Sequence, residues 1–297
     1  MFRMTRHDQT TIVSGSLDSM QHLLDDDNLP AINRDLVEPM RARFTAGNAE
    51  PRAFGGVASF EDARALLITD GWQDGVARAR AEMPTLPLAD LVPEAVAMKR
   101  RRVFREEGDT LRIEAALAGK WERAWETRAR RSSRQPVTLS IGCGFGANAG
   151  VSHHDLFWCG LQMAALVDVL ENAGFRVELR ALKVNTFRNN THHAQDWTVK
   201  QADQPLRLDT ALSLFGHGGV YRTFGWLGNL CSEFKVPKTL GSVATGGDML
   251  RQFNALAEAS VIPPLSLIVP TAASRDEAID NLRAALRAVR EGLAVAA

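Results

Sequence analysis

Residues 136–184 read PVTLSIGCGFGANAGVSHHDLFWCGLQMAALVDVLENAGFRVELRALKV, and the changes of periodicity inside this run decide the fold. Val137-Thr-Leu-Ser-Ile141 is a short apolar run of buried-strand type. A glycine-rich turn is expected from Gly142 to Gly150. Ser152 and Asp155 are placed to cap a helix whose apolar face includes Leu161, Ala164, Ala165 and Leu170, and Gly174 stands where that helix should stop. Phe175 to Val184 reads as a second strand. Strand, helix and strand over about 48 residues make a βαβ unit, and such a connection leaves its two strands parallel.

Downstream, Asp196 to Lys200 reads as a short strand, while Leu208 to Phe215 suits either a helix or a strand. Leu265-Ser-Leu-Ile-Val269 is a core strand, and Ser274-x-x-Glu277 is a capping box. The helix it opens carries Ala278, Leu282, Ala285, Leu286 and Val289 on one face. The expected class is therefore α/β, with an open, mostly parallel sheet in residues 134–297.

Upstream, charge, serine and proline coincide between Arg128 and Pro136 and mark a boundary. Residues 1–133 read as a mainly helical region with a small strand pair, and their first 58 residues are polar and poorly periodic. Asp25-Asp26-Asp27 reads as a solvated helix end. Pro51 to Gly56 reads as a loop. Ser59 and Asp62 suit the start of a helix with Ala63, Leu66 and Leu67 on one face, and Gly71-Trp72 ends it, with Trp72 as a packing anchor. Residues 84–98 read as a linker, and the basic run Lys99 to Arg102, with Arg105, as a charged strand edge. Glu106 to Asp109 suits a hairpin turn, and Leu111 to Arg130 a helix carrying Trp121 and Trp125.

The 297 residues carry 35 Lys plus Arg against 35 Asp plus Glu, so no net charge draws the chain to nucleic acid or to a membrane. Nucleic acid remains open only through a local patch such as Arg100–Arg102. Cys143, Cys159 and Cys231 are odd in number and widely spaced, against a disulfide framework or a structural zinc site. The opening residues lack a signal-peptide core and no run approaches 18 apolar residues, so a cytoplasmic protein is expected, in the host cytoplasm if phage-encoded.

Gly142-Cys-Gly144-Phe-Gly146 after a strand resembles the first motif of S-adenosylmethionine-dependent methyltransferases, where glycines let the backbone approach the cofactor. That resemblance implies an acid at the end of the second strand, where this chain has Leu182-Lys183-Val184. Residues Ala165 to Leu179 resemble the first helix and second strand of von Willebrand factor A-type domains, a Rossmann-type fold. Those domains hold a divalent cation through D-x-S-x-S and later Thr and Asp residues, with oxygen ligands that suit magnesium. At the matching positions this chain offers Asn148 and Ser152, then Thr245 and Asp248, so the implied site is degenerate.

A third resemblance covers residues 54–290. The ordered motifs Phe54-Gly55, Gly71-Trp72-x-x-Gly75, Leu117-Ala118-Gly119, Ala149-Gly150-Val151-Ser152, the run ending Val177-Glu178-Leu179, and His217 with Arg222 resemble an uncharacterised family of bacteriophages and bacteria. It implies an origin and a fold but no activity.

The remaining candidates are imidazoles and one guanidinium. His153-His154-Asp155 is expected after strand one, His192-His193 after strand two, and His217 within Gly216-His-Gly-Gly219. Loops at the carboxyl ends of strands converge in open α/β sheets, so His153, His192, His217 and Asp248 are the metal candidates. The ligand edge is expected at Gly142, Gly144, Gly146, Asn148, Ser152, His154, Asp155, His193, His217 and Arg222. The leading expectation is a non-catalytic protein-interaction or adaptor protein, needing no cofactor, whose partner is a phage or host protein. The alternatives are a nucleotide-cofactor enzyme such as a methyltransferase, and a metal-dependent nucleic-acid-processing protein.

Overall fold

The computed structural model describes residues 2–24, 28–39, 42, 57–87, 101–105, 110–111, 117–120, 125–129, 137–145, 151–187, 192–232, 236, 242–243 and 246–296. The chain opens with the hairpin β1 (Arg3–His7) and β2 (Thr10–Ser16), followed by α1 (Leu17–Met20). Next come α2 (Phe60–Arg64), continued by one π-helical turn over Ala65–Thr69, and α3 (Gln73–Glu82). A separate small sheet contains β3 (Arg101–Arg105), β4 (Thr110–Leu111) and β5 (Trp125–Ala129) in the order β3-β5-β4. The remainder runs β6 (Thr138–Gly144), α4 (His153–Asn172), β7 (Arg176–Thr186), β8 (His192–Lys200), α5 (Leu208–Gly216) and α6 (Gly218–Leu230). It ends with β9 (Ser242–Val243), α7 (Gly246–Glu258), β10 (Leu267–Val269) and α8 (Arg275–Ala296).

The main sheet is mixed, in the order β1-β2-β8-β7-β6-β10, with β9 paired to the end of β7. Its β7-β6-β10 side is parallel, as is β2 against β8. The expectation of a mostly parallel sheet is corrected at β8, which runs antiparallel to β7. The physical reason is length. Only residues 187–191 separate the two strands, far too few for the crossover that a parallel neighbour requires. The polar start of the chain, poorly periodic on sequence, supplies the two outermost strands beyond β8.

Alternation along the strands sorts the core into two layers. Ile141, Cys143, Val177, Leu179, Ala181 and Trp197 belong to the larger cluster, with α4, α5, α6 and α8. Ile12, Leu182, Val184 and Ala194 face the other way, against Met249, Phe253 and Leu256 of α7. The start and stop signals around these helices hold. Ser152 caps α4, its hydroxyl accepting the His154 N–H at 3.1 Å. Gly174, at φ +99°, reverses the chain while the Phe175 N–H reaches back to the Leu170 carbonyl at 3.1 Å. Ser274 accepts from the Glu277 N–H at 3.2 Å, and the Glu277 carboxylate accepts from the Ala273 N–H at 2.7 Å. Ser59 caps α2 through the Asp62 N–H at 3.0 Å.

Several other readings change. At the described ends of the helix expected from Leu111 to Arg130, Leu111 belongs to β4 and Trp125–Ala129 form β5, where Trp125 and Thr127 pair with Arg105 and Val103 of β3. β-branched and aromatic residues are at home in such a ladder. The ambiguous run near Leu208 is helix α5, and the core strand near Leu265 is trimmed to β10. Trp72 does anchor packing, meeting the Phe157 ring edge-on at 6.1 Å, while the Arg78 guanidinium lies 3.7 Å from the centre of that ring. The acidic run 25–27, the loop 51–56, most of the linker, residues 99–100, the turn 106–109, Trp121 and the boundary 130–136 lie outside the described residues.

Candidate functional site

β6, β7 and β10 end on one rim of the sheet, where the Thr271 hydroxyl donates to the Gly144 carbonyl at 3.0 Å and fastens β10 to β6. Most of the ligand-edge candidates fall near this rim. Gly146 and Asn148 lie outside the described residues, as do Thr245 and the side chain of His153. Gly142 and Gly144 belong to β6 itself, not to the turn that follows. A Cβ on Gly142 would lie 2.2 Å from Leu182 Cδ1, and one on Gly144 3.0 Å from Met249 Sδ and 2.7 Å from the Thr271 hydroxyl. Their bareness is used by neighbours on the α7 side of the sheet. Replacing Gly144 with valine should therefore overpack that layer and destabilise the fold by about 1–3 kcal/mol, read in a urea melt. An unchanged midpoint would return this glycine to the ligand-binding reading.

The hydroxyl and imidazole candidates have identifiable positions. Ser152 is exposed and occupied as the cap of α4, with Asp155 in the first helical turn and His154 exposed beside it. Arg222 reaches from α6 to the same loop, donating through Nη2 to the Val151 carbonyl at 3.3 Å. His217 caps α6, its Nδ1 accepting the Val220 N–H at 3.4 Å, and its ring meets Trp72 edge-on at 5.0 Å. Glu178, on β7, is half-buried and accepts from the Ser140 hydroxyl at 2.9 Å.

His192 and His193, expected in a loop, open strand β8. Alternation sends them to opposite faces. His192 Nδ1 lies 3.1 Å from the Thr186 hydroxyl, whereas His193 is buried and neither of its ring nitrogens has a hydrogen-bond partner among the described residues. Burial, then the charge of Lys183, pushes the His193 imidazole down to about 3, so it is neutral at physiological pH. Asp248 sits on α7 and pairs with Arg251. Among the described residues no three His, Cys, Asp or Glu side chains are grouped to hold a metal ion.

What the sequence reading missed is a buried polar cluster between β7, β8 and α6. Lys183 Nζ donates to the Gly225 carbonyl at 2.6 Å, and Gln195 Nε2 donates to the same oxygen at 2.7 Å and to Asn229 Oδ1 at 2.9 Å. Trp197 Nε1 completes the chain by donating to Gln195 Oε1 at 3.2 Å. Lys183 also lies 5.6 Å from the centre of the Tyr221 ring, which meets Phe145 edge-on at 5.9 Å. Burial pushes the Lys183 amine down to about 7. Such an amine has the reactivity of a nucleophile or base, but here it is enclosed and spent on a helix carbonyl. The cluster latches α6 onto the sheet and so positions Tyr221 and Arg222 near the rim. The available signal was polar residues at alternate positions, Lys183 and Asn185, then His193 and Gln195, inside otherwise apolar strands.

All three cysteines are free and buried, with Cys143 and Cys159 sulfurs 4.0 Å apart. No helix among the described residues is long and apolar enough to cross a membrane.

A family model described as a domain of unknown function, DUF7192, matches residues 6–288. No curated protein and no solved structure matches the chain.

Proposed function

We propose that the chain, which belongs to the DUF7192 family, is a non-catalytic protein-interaction or adaptor module. In this reading it has a von Willebrand A-like, Rossmann-type architecture and a phage-type origin, and its partner is a phage- or host-encoded protein. The partner is met at the rim where β6, β7 and β10 end, around Ser152, His154 and Arg222. One observation carries the reading: the rim groups able to do chemistry are committed to holding the scaffold. Ser152 and His217 cap helices, Arg222 holds the Val151 carbonyl, and Gly142 and Gly144 make room for α7-side packing. The A-like part draws support from a strand, a long helix and a second strand parallel to the first. Neither a cofactor nor a metal is part of this proposal.

The test places a photo-crosslinking amino acid at His154, and as a control at exposed Arg287 on α8, in cells that make the protein. A recurrent adduct with one protein from position 154, absent from position 287, is expected. No distinct adduct would count against the proposal. So would a saturable rise in melting temperature with S-adenosylmethionine, or stoichiometric metal in the purified protein.

A further inference from the structure

At the opposite edge of the sheet the parallel strands β2 and β8 present their own carboxyl ends, and between the segments that leave them lies a cavity of about 360 Å³. That size lies within the range of small-molecule pockets. Leu17, from the start of α1, and Val199 and Leu206, flanking the turn after β8, give it apolar walls. Gln204 and Arg207 add polar groups to the lining.

The charges can be assigned one at a time. Lys200 also lines the cavity, but its three N–H groups are matched by the Val177 carbonyl at 2.7 Å, the Gln201 carbonyl at 3.1 Å and the Glu171 carboxylate at 2.6 Å. It is a fixed, neutralised wall. Arg207 differs. Its side chain is 59% exposed and touches one carboxylate, Asp209, through a single Nη2 at 3.4 Å. The rest of its planar fork has no partner among the described residues, and a fork of that shape matches a carboxylate with two parallel hydrogen bonds.

We infer that this cavity binds a small amphipathic carboxylate, with its hydrocarbon body against Leu17, Val199 and Leu206 and its head on Arg207. The site is independent of the rim assigned to a protein partner. Decanoate is the probe, titrated below its micellar concentration by calorimetry against the full chain, with decanol as the uncharged comparison. Saturable one-site binding is expected, weakened about tenfold in Arg207→Gln and in the alcohol. Leu206→Trp, which fills the cavity, should abolish it. Absence of saturation overturns the inference, as does equal affinity for decanoate and decanol, or for wild type and Arg207→Gln. Should Leu206→Trp fail to unfold cooperatively, Arg207→Gln decides the matter alone, because its side chain is at the surface.

Discussion

Asp196→Ala is expected to lower the stability of the fold by about 3–5 kcal/mol, the largest loss of any single change considered. Asp196 and Arg180 meet on the α7 side of the sheet, both side chains no more than 5% exposed. Arg180 donates through Nε to Asp196 Oδ1 at 2.8 Å and through Nη2 to Oδ2, while Nη1 donates to the Pro263 carbonyl at 3.1 Å. Truncating the acid leaves a guanidinium enclosed with one neutral acceptor. The pair as a whole is a different matter. Burial raises the Asp196 carboxyl above its ordinary range despite the attraction of Arg180, so the charges gain little over what desolvation costs them. The double variant Arg180→Met with Asp196→Leu should therefore return to within about 1 kcal/mol of wild type. Urea unfolding of the three proteins decides this. A single variant as stable as wild type would mean that the stranded charge finds water.

The second large effect belongs to Lys183. Its amine titrates near 7 in the folded chain against an ordinary 10.5. Between those values the unfolded chain holds a proton that the native chain has released, so stability rises as pH climbs from about 7 to about 10.5. Below pH 7 both states are protonated and the penalty for enclosing the charge is borne in full. The slope in the window should reach about 1.4 kcal/mol per pH unit. Lys183→Met should flatten it and stabilise the protein at pH 7 by about 1–4 kcal/mol, because Gln195 still donates to the Gly225 carbonyl. Chemical denaturation at pH 7, 8, 9 and 10 measures both. A methionine variant that is weaker at pH 7 and keeps the slope would refute the assignment.

How much of this was legible in residues depended on range. The β6-α4-β7 unit was, because its signals are local: a strand-length apolar run, the Ser152 cap, a helical stripe and the Gly174 stop all agree. The α8 capping box was legible for the same reason. Where tertiary partners decide, the reading failed. Trp125 to Ala129 has nothing against a helix until β3 and β4 are beside it. Thr10 to Ser16 looks merely polar until β8 supplies its ladder. The rim was legible as a location, since strand ends follow from strand assignments. The jobs of its groups were not. That His193 points into the α6 layer while His192 bonds Thr186 follows from β8 beginning at His192, ahead of the strand start expected at Asp196.

The pairing of β2 with β8 has a consequence for biosynthesis. Thr10 is matched to His192, so β2 finds its partner only after the long stretch of chain between the two residues has also been translated. Until then Ile12 and Val13, both enclosed in the finished molecule, have no seat. Contacts this distant along a sequence slow collapse and leave sticky segments bare in the meantime. Nascent chains stalled before residue 192 should thus be more susceptible to protease and more avid for holdase chaperones than those released just beyond residue 200.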